Sequence, residues 1–294
     1  MTDPATPTID AEFYTAQQVA VRDAANRVQA AWAQLDPADP ASLAGQVQPA
    51  VVAAIEEAQA QASAPAALYV AGALLAAGAV SAPLATLVTA AFVGAAASGL
   101  LLGVLADYGL RHYQRALAAG MPPSEARAIG LSRLLTYTAT EVADTGRAAV
   151  QVAMIAEPAV AGYERIVRLP ACGRCLILAG RLYRYSDGFA RHPRCDCLMR
   201  PVTRDQWENT NPGNTPAALF ARMSRAQQDK AFGAGDAEAI RAGADMARVV
   251  NVHRGVTVAG ARRQSGRPTA AQLVTASTDR ADLLAELQRF GYLR

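Results

Sequence analysis

Four cysteines and one histidine are the side chains best equipped for chemistry here, and they share one window. It runs Cys172-Gly173-Arg174-Cys175, then Arg191-His192-Pro193-Arg194-Cys195-Asp196-Cys197. The chain has 4 cysteines and 3 histidines in 294 residues, so this window holds every thiol. In a Cys-x2-Cys turn two thiolates converge on one side, and Gly173 offers the backbone freedom a tight knuckle needs. His192 and Cys195 repeat that separation, while Cys195 and Cys197 share a face wherever the chain is extended. Five donors, Cys172, Cys175, His192, Cys195 and Cys197, therefore compete for the four positions of a tetrahedral zinc. The expected site is closed and structural. A catalytic zinc keeps a position for water, and no His-Glu-x-x-His helix or other general base stands beside these donors. Asp196 is left an outer-shell role. Two rival uses stay open: a pair of disulfides, although no secretory signal peptide is recognised, and a redox Cys-x-x-Cys, which would leave His192, Cys195 and Cys197 without a purpose.

Such donors need a scaffold. The chain is long enough for a substantial core in one large or two modest domains. Hydrophobic residues reach 52%, much of it alanine, and aromatics only 6%, which favours helices that pack closely because each side chain buries little area. A net charge of +3 does not advertise a nucleic-acid binder. The charge is uneven, however. In the first 62 residues acids outnumber bases, whereas Arg248, Arg254, Arg262, Arg263 and Arg267 fall in a stretch without any acid.

Residues 1–9 read as a disordered leader, and Asp10 as the cap of a helix to about Leu35 with Phe13, Val19, Val28, Trp32 and Leu35 on its apolar face. Prolines 37 and 40 break it. A second helix is expected from Ser42 to Ala62. Ala58 to Ala106 carries no charge and no histidine. Leu84–Ala106 is long enough for a bilayer span, so a membrane hairpin stands beside the preferred reading of helices buried through small residues. Helices follow from Asp107 to Gly120 and from Pro123 to about Ala156, the latter with Leu131, Leu134, Leu135, Val142, Val150 and Met154 toward a core. Ile166–Leu169 reads as a strand entering the cysteine knuckle, and Leu176–Tyr185 as a hairpin turning at Ala179-Gly180. That β element is too small to stand alone, which is the physical reason to staple it with metal. Helical signals resume at Thr215-Pro216 and Asp236, around Gly243, and near Asp279.

The expected architecture is mainly α, with helical N- and C-terminal regions around a small zinc-stapled β-hairpin module. Its parts are a leader at 1–9, a helical domain at 10–165 containing the apolar segment 58–106, the Cys/His module at 166–205, and a C-terminal helical region at 206–294 with an arginine-rich loop at 248–267. That loop would meet a protein partner or DNA phosphates.

The run Cys172-x2-Cys175, Leu178-Ala179-Gly180, Tyr183-Arg184, Gly188-Phe189, His192-Pro193-x-Cys195-x-Cys197 and Pro201 resembles the signature of the phage Mu F-like head morphogenesis proteins, nearest their actinobacteriophage branch. Trp32-Ala33-x-Leu35-Asp36-Pro37-Ala38-Asp39, Ala143-Asp144-x-Gly146-Arg147, Phe232-Gly233, Ala239-Ile240-x-x-Gly243-Ala244-Asp245, Val249-Val250-Asn251, Arg254-Gly255 and Gly291-Tyr292 extend the likeness. The resemblance implies a minor capsid protein, made in the bacterial cytoplasm and built into the phage head near the portal. Portal, major capsid or scaffolding proteins would be its partners, with self-association open and membrane contact not expected. This branch is often labelled capsid maturation protease, yet no Ser-His or Cys-His spacing announces a nucleophile with its base, and no catalytic residue is assigned. A third reading is an internal virion protein that touches DNA or membrane on ejection.

Overall fold

Buried residues recur along the first helix as Phe13, Gln17, Ala20, Ala24, Val28 and Ala31, the three-and-four spacing that holds one helix face against a core. In the computed structural model this helix, α1, spans Ala5–Ala33. The structure describes residues 5–36, 43–97, 99–185, 187–209, 214–257, 273, 276–278 and 280–289. Residues 5–9, expected in a disordered leader, are therefore helical, while 1–4 lie outside the described residues. Asp10 is not the helix cap but a buried residue inside α1. Val19, assigned to the apolar face, is exposed, and alanines take its place. Trp32 and Leu35 are buried as the stripe requires.

The chain divides into two compact units, Met1–Glu164 with Leu182–Thr210, and Arg165–Arg181 with Asn211–Arg294. In the first unit α1 packs with α2 (Gln48–Ser63), α3 (Ala66–Ala76) and α5 (Pro123–Ala156), while α4 (Leu102–Ala118) packs on α2 and α5. A π-helical turn at Leu43–Val47 leads into α2. One core joins Trp32, Ile55, Leu102, Leu105, Tyr113 and Leu134. A second contact is built almost wholly from small residues, Ala20, Ala24, Ala58 and Ala62 with Val142. Small faces let helix axes approach, and α4 and α5 show how far. A Cβ on Gly130 would stand 2.8 Å from Trp32 Cζ2 and 2.9 Å from the Gly109 carbonyl oxygen. On α5, Leu134, Val142, Val150 and Met154 are buried, and Leu131 and Leu135 pack half-buried against the core.

The uncharged segment divides its labour. Ala58, Ala62, Tyr69, Val70, Leu74, Leu102, Leu105 and Ala106 are buried, whereas Leu68, Leu75, Val80, Leu84, Val88 and Leu101 face outward. Leu84–Ala106 is not one helix. It contains a 3-10 turn at Thr89–Phe92 and an isolated bridge between Ala95 and Leu101 before α4 begins. Among the described residues no helix is long and apolar enough to cross a membrane. Glycines 78, 94 and 99 at positive φ are one reason, since they interrupt the run with turns. The Ser81 hydroxyl and the Ala82 N–H both donate to the Glu157 carboxylate, fastening the segment to the end of α5.

Three antiparallel strands, β1 (Gly162–Ile166), β2 (Leu182–Arg184) and β3 (Leu198–Val202), form a sheet in the order β2-β1-β3. The pairs Gly162–Arg184, Tyr163–Tyr183 and Glu164–Leu182 set the register of β1 on β2. The hairpin expected over Leu176–Tyr185 is thus displaced. Residues Gly173–Leu176 form a helical turn, α6, because the Cys172 carbonyl accepts from both Cys175 N and Leu176 N at 3.0 Å. The strand that Leu182–Arg184 pairs with is β1. Gly162 has no room for a side chain, since its Cβ would lie 2.2 Å from the Tyr183 carbonyl oxygen.

In the first unit α7 (Arg204–Glu208) follows β3 and starts with a Thr203–Gln206 capping box. The second unit contains α8 (Pro216–Arg222), α9 (Arg225–Phe232), α10 (Ala234–Arg241), α11 (Met246–Thr257) and α12 (Arg280–Arg289). Thr215 and Ser224 accept N-cap hydrogen bonds, as hydroxyl residues at these positions do. Phe220, Ala239, Ile240, Ala244, Val249 and Leu273 form the core. Gly243 adopts φ 102° between α10 and α11, a conformation that favours glycine. Arg241 forks between Asp229 at 3.1 Å and Glu238 at 2.8 Å, tying α9 to α10.

Candidate metal centre

Cys172 precedes α6 in extended geometry, and Cys175 follows one turn later, buried. The glycine between them plays a role other than the expected one. Gly173 does not sit at positive φ, but a Cβ there would meet Phe232 Cδ1 at 2.9 Å and the Ala231 carbonyl oxygen at 3.1 Å. Its smallness seats the knuckle on the end of α9. Arg165, buried in full, directs Nη2 to Cys175 Sγ at 3.8 Å.

The second knuckle is shaped by α5. His192 O accepts from Cys195 N at 3.1 Å, and Arg194 between them is at φ 61° with its N–H donated to Thr140 Oγ1 at 3.1 Å. Arg147 Nη1 donates to the carbonyls of Cys195 and Cys197 at 3.0 and 3.3 Å. Its guanidinium is held in turn by the buried Asp144 carboxylate and lies 5.1 Å from the Phe189 ring centroid. Arg191 pairs with the same Asp144. Cys195 and Cys197 are buried, and Arg147 anchors the backbone of each. Asp196 points elsewhere, accepting from the Tyr14 hydroxyl at 2.7 Å on α1. Burial raises its carboxyl pKa against that hydrogen bond.

The donors assemble into two overlapping groups, Cys172 with Cys175 and His192, and Cys175 with Cys195 and Cys197. Within each group the ligand atoms all lie within 4.8 Å of one another. Zn–S bonds of ~2.3 Å in a tetrahedron put sulfurs ~3.8 Å apart, which fits inside that bound. No disulfide joins any two of the four cysteines. His192 Nδ1 lies 2.8 Å from the Pro193 carbonyl oxygen, a contact that makes Nδ1 the donor and leaves Nε2 with its lone pair for a ligand. Cys172, Cys175, His192, Cys195 and Cys197 therefore form a cluster that could hold a metal ion.

Reading the spacing alone did not single out Arg147, Asp144 or Arg165 as supports. The first two stand in the Ala143-Asp144-x-Gly146-Arg147 run, whose only signal was its share in the family likeness. Of the arginines expected to meet DNA or protein, Arg248 stands in α11's first turn with its N–H donated to Asp245 Oδ1 at 2.8 Å. Arg254 falls within α11, and Arg262, Arg263 and Arg267 lie outside the described residues.

Fold and site together define a mainly helical protein with a small antiparallel sheet and a Cys/His cluster suited to a metal. The family model for the VG15 protein matches residues 6–226, most of the chain. The chain belongs to this family, and is accordingly a phage protein. No curated protein and no solved structure matches it significantly.

Proposed function

We propose that this phage protein is a minor capsid protein of the head morphogenesis kind, a structural virion component acting near the portal while the head is assembled in the host cytoplasm. The observation that carries the reading is the dependence of one signature run on another. Arg147, from the Asp144-x-x-Arg147 run, holds the backbone of Cys195 and Cys197. A likeness spread along the chain thus describes one piece of machinery. Zinc is the proposed metal, held by four of Cys172, Cys175, His192, Cys195 and Cys197, because thiolate-rich closed sets select it and leave no open position for catalysis. Portal, major capsid or scaffolding subunits would cover the outward apolar side chains Leu68, Leu75, Val80, Leu84, Val88 and Leu101, an exposed set of the kind that interfaces bury. The test is particle composition. Mass spectrometry of purified proheads and mature heads should find this chain in one or both at low copy, and its absence from both would refute the proposal.

A further inference from the structure

A second feature of the first unit lies on the outer side of α4 and α5. Tyr108, Arg111, His112 and Arg115 of α4 and Tyr137 of α5 line a cavity of about 200 Å³. Arg111 and Arg115 are exposed, as is Arg133, one turn before Tyr137. Among the described residues none of these three arginines has a carboxylate partner. That sets them apart from Arg27, Arg147, Arg191, Arg200 and Arg241, all paired with acids. Between them sits His112, whose Nε2 lies 3.3 Å from the Tyr137 hydroxyl. Burial, then Arg133 and Arg115, lower the His112 pKa, so positive potential converges on this ring. The two tyrosine rings stand 5.8 Å apart at 56°, and the Arg111 guanidinium is 5.6 Å from the Tyr108 centroid.

We infer that this cleft binds single-stranded nucleic acid, with the phosphodiester backbone on Arg111, Arg115 and Arg133 and a base against Tyr108 and Tyr137. Unneutralised guanidiniums alone would fit any anion. Two half-exposed aromatic faces set between them favour a ligand that alternates anionic and flat apolar parts, which is what a single strand presents. A regular duplex keeps its bases stacked inside and offers the tyrosines nothing. The cleft is also pre-formed, because the close approach of α4 and α5 at Gly109 and Gly130 fixes the distance between the helices that carry it.

Fluorescence anisotropy of the full-length protein with a fluorescein-labelled oligothymidylate at low salt tests this. Duplex of equal length and inorganic phosphate serve as separate arms. The R111Q/R115Q/R133Q variant changes exposed side chains only and should weaken binding at least tenfold. Loss of three contacts should also flatten the log–log salt slope by about 2, at roughly 0.7 per phosphate. Tyr137→Leu, which keeps apolar bulk, should weaken oligothymidylate about fivefold or more by loss of stacking. Four results would overturn the inference: no binding by the wild type at low salt, unchanged affinity in the triple variant, tighter binding of duplex than of single strand, or displacement of the oligonucleotide by inorganic phosphate at equal phosphate concentration.

Discussion

Cys175 is the donor common to both ligand groups, and its position explains why so much of the neighbourhood is organised around one sulfur. It is buried, faced by the Arg165 guanidinium, and one helical turn from Cys172. With zinc as the proposed occupant, Cys175→Ser should reduce bound metal from about one per chain to near none, since both groups lose a member. His192→Ala should lose less if the four thiols form the set. Elemental analysis of the purified variants reads this directly, and full zinc retention by Cys175→Ser would refute the proposed centre. Spacing picks out the candidate donors because coordination demands particular atoms. It did not disclose Arg147, since any residue that reaches two carbonyls from α5 would serve, and only the fold says which one does.

At the scale of elements, helix contacts here are made by absent side chains as much as by present ones. Gly130 of α5 lets α4 and Trp32 approach, and a methyl group there would meet Tyr113 Cβ and the Gly109 carbonyl oxygen at 2.9 Å. Neither is the free end of a flexible chain. Gly130→Ala should therefore destabilise by about 1–3 kcal/mol in urea unfolding, despite alanine's better helix propensity. Gly45→Ala, where nothing lies within 4 Å, is the matched control and should be near neutral. Equal midpoints for the two variants would contradict the close approach. The helices themselves were readable from prolines, caps and apolar spacing. The strands were readable only in part, because β3 and the pairing of β2 with β1 depend on partners distant in sequence, and Leu176–Leu178, apolar enough for a strand, were taken by the turn at Cys172.

A long-range tie in the first unit joins residues that no local pattern connects. Asp10 of α1 accepts from the Tyr69 hydroxyl of α3 at 2.8 Å and pairs with Arg200 of β3 at 3.2 Å, while Arg200 also pairs with Glu164 of β1. Burial raises the Asp10 pKa above its ordinary 3.8, outweighing Arg200 and Tyr69 and helped by Glu164. The sign follows from linkage: a carboxyl whose folded pKa exceeds its unfolded one contributes fully below the unfolded value, and that contribution is lost as pH rises through the folded pKa. Asp10→Asn should consequently show a melting temperature less dependent on pH between about 4 and 7 than the wild type, as measured by thermal melts across that range. An identical pH profile in the two proteins would mean that Asp10 ionises as freely in the fold as in the open chain. Asp10 was expected to cap a helix, a sound reading of an acid before an apolar stripe, but the helix begins earlier and turns the carboxylate inward. What the amino-acid order determined unaided was the predominance of helix, the breaks between helices and the five candidate donors, because backbone propensity and ligand chemistry act over a few residues. The tertiary structure alone decided which strands pair, which charges are buried together, and that the uncharged run divides between core and surface, because each of those outcomes depends on atoms far apart along the chain and on the water they exclude.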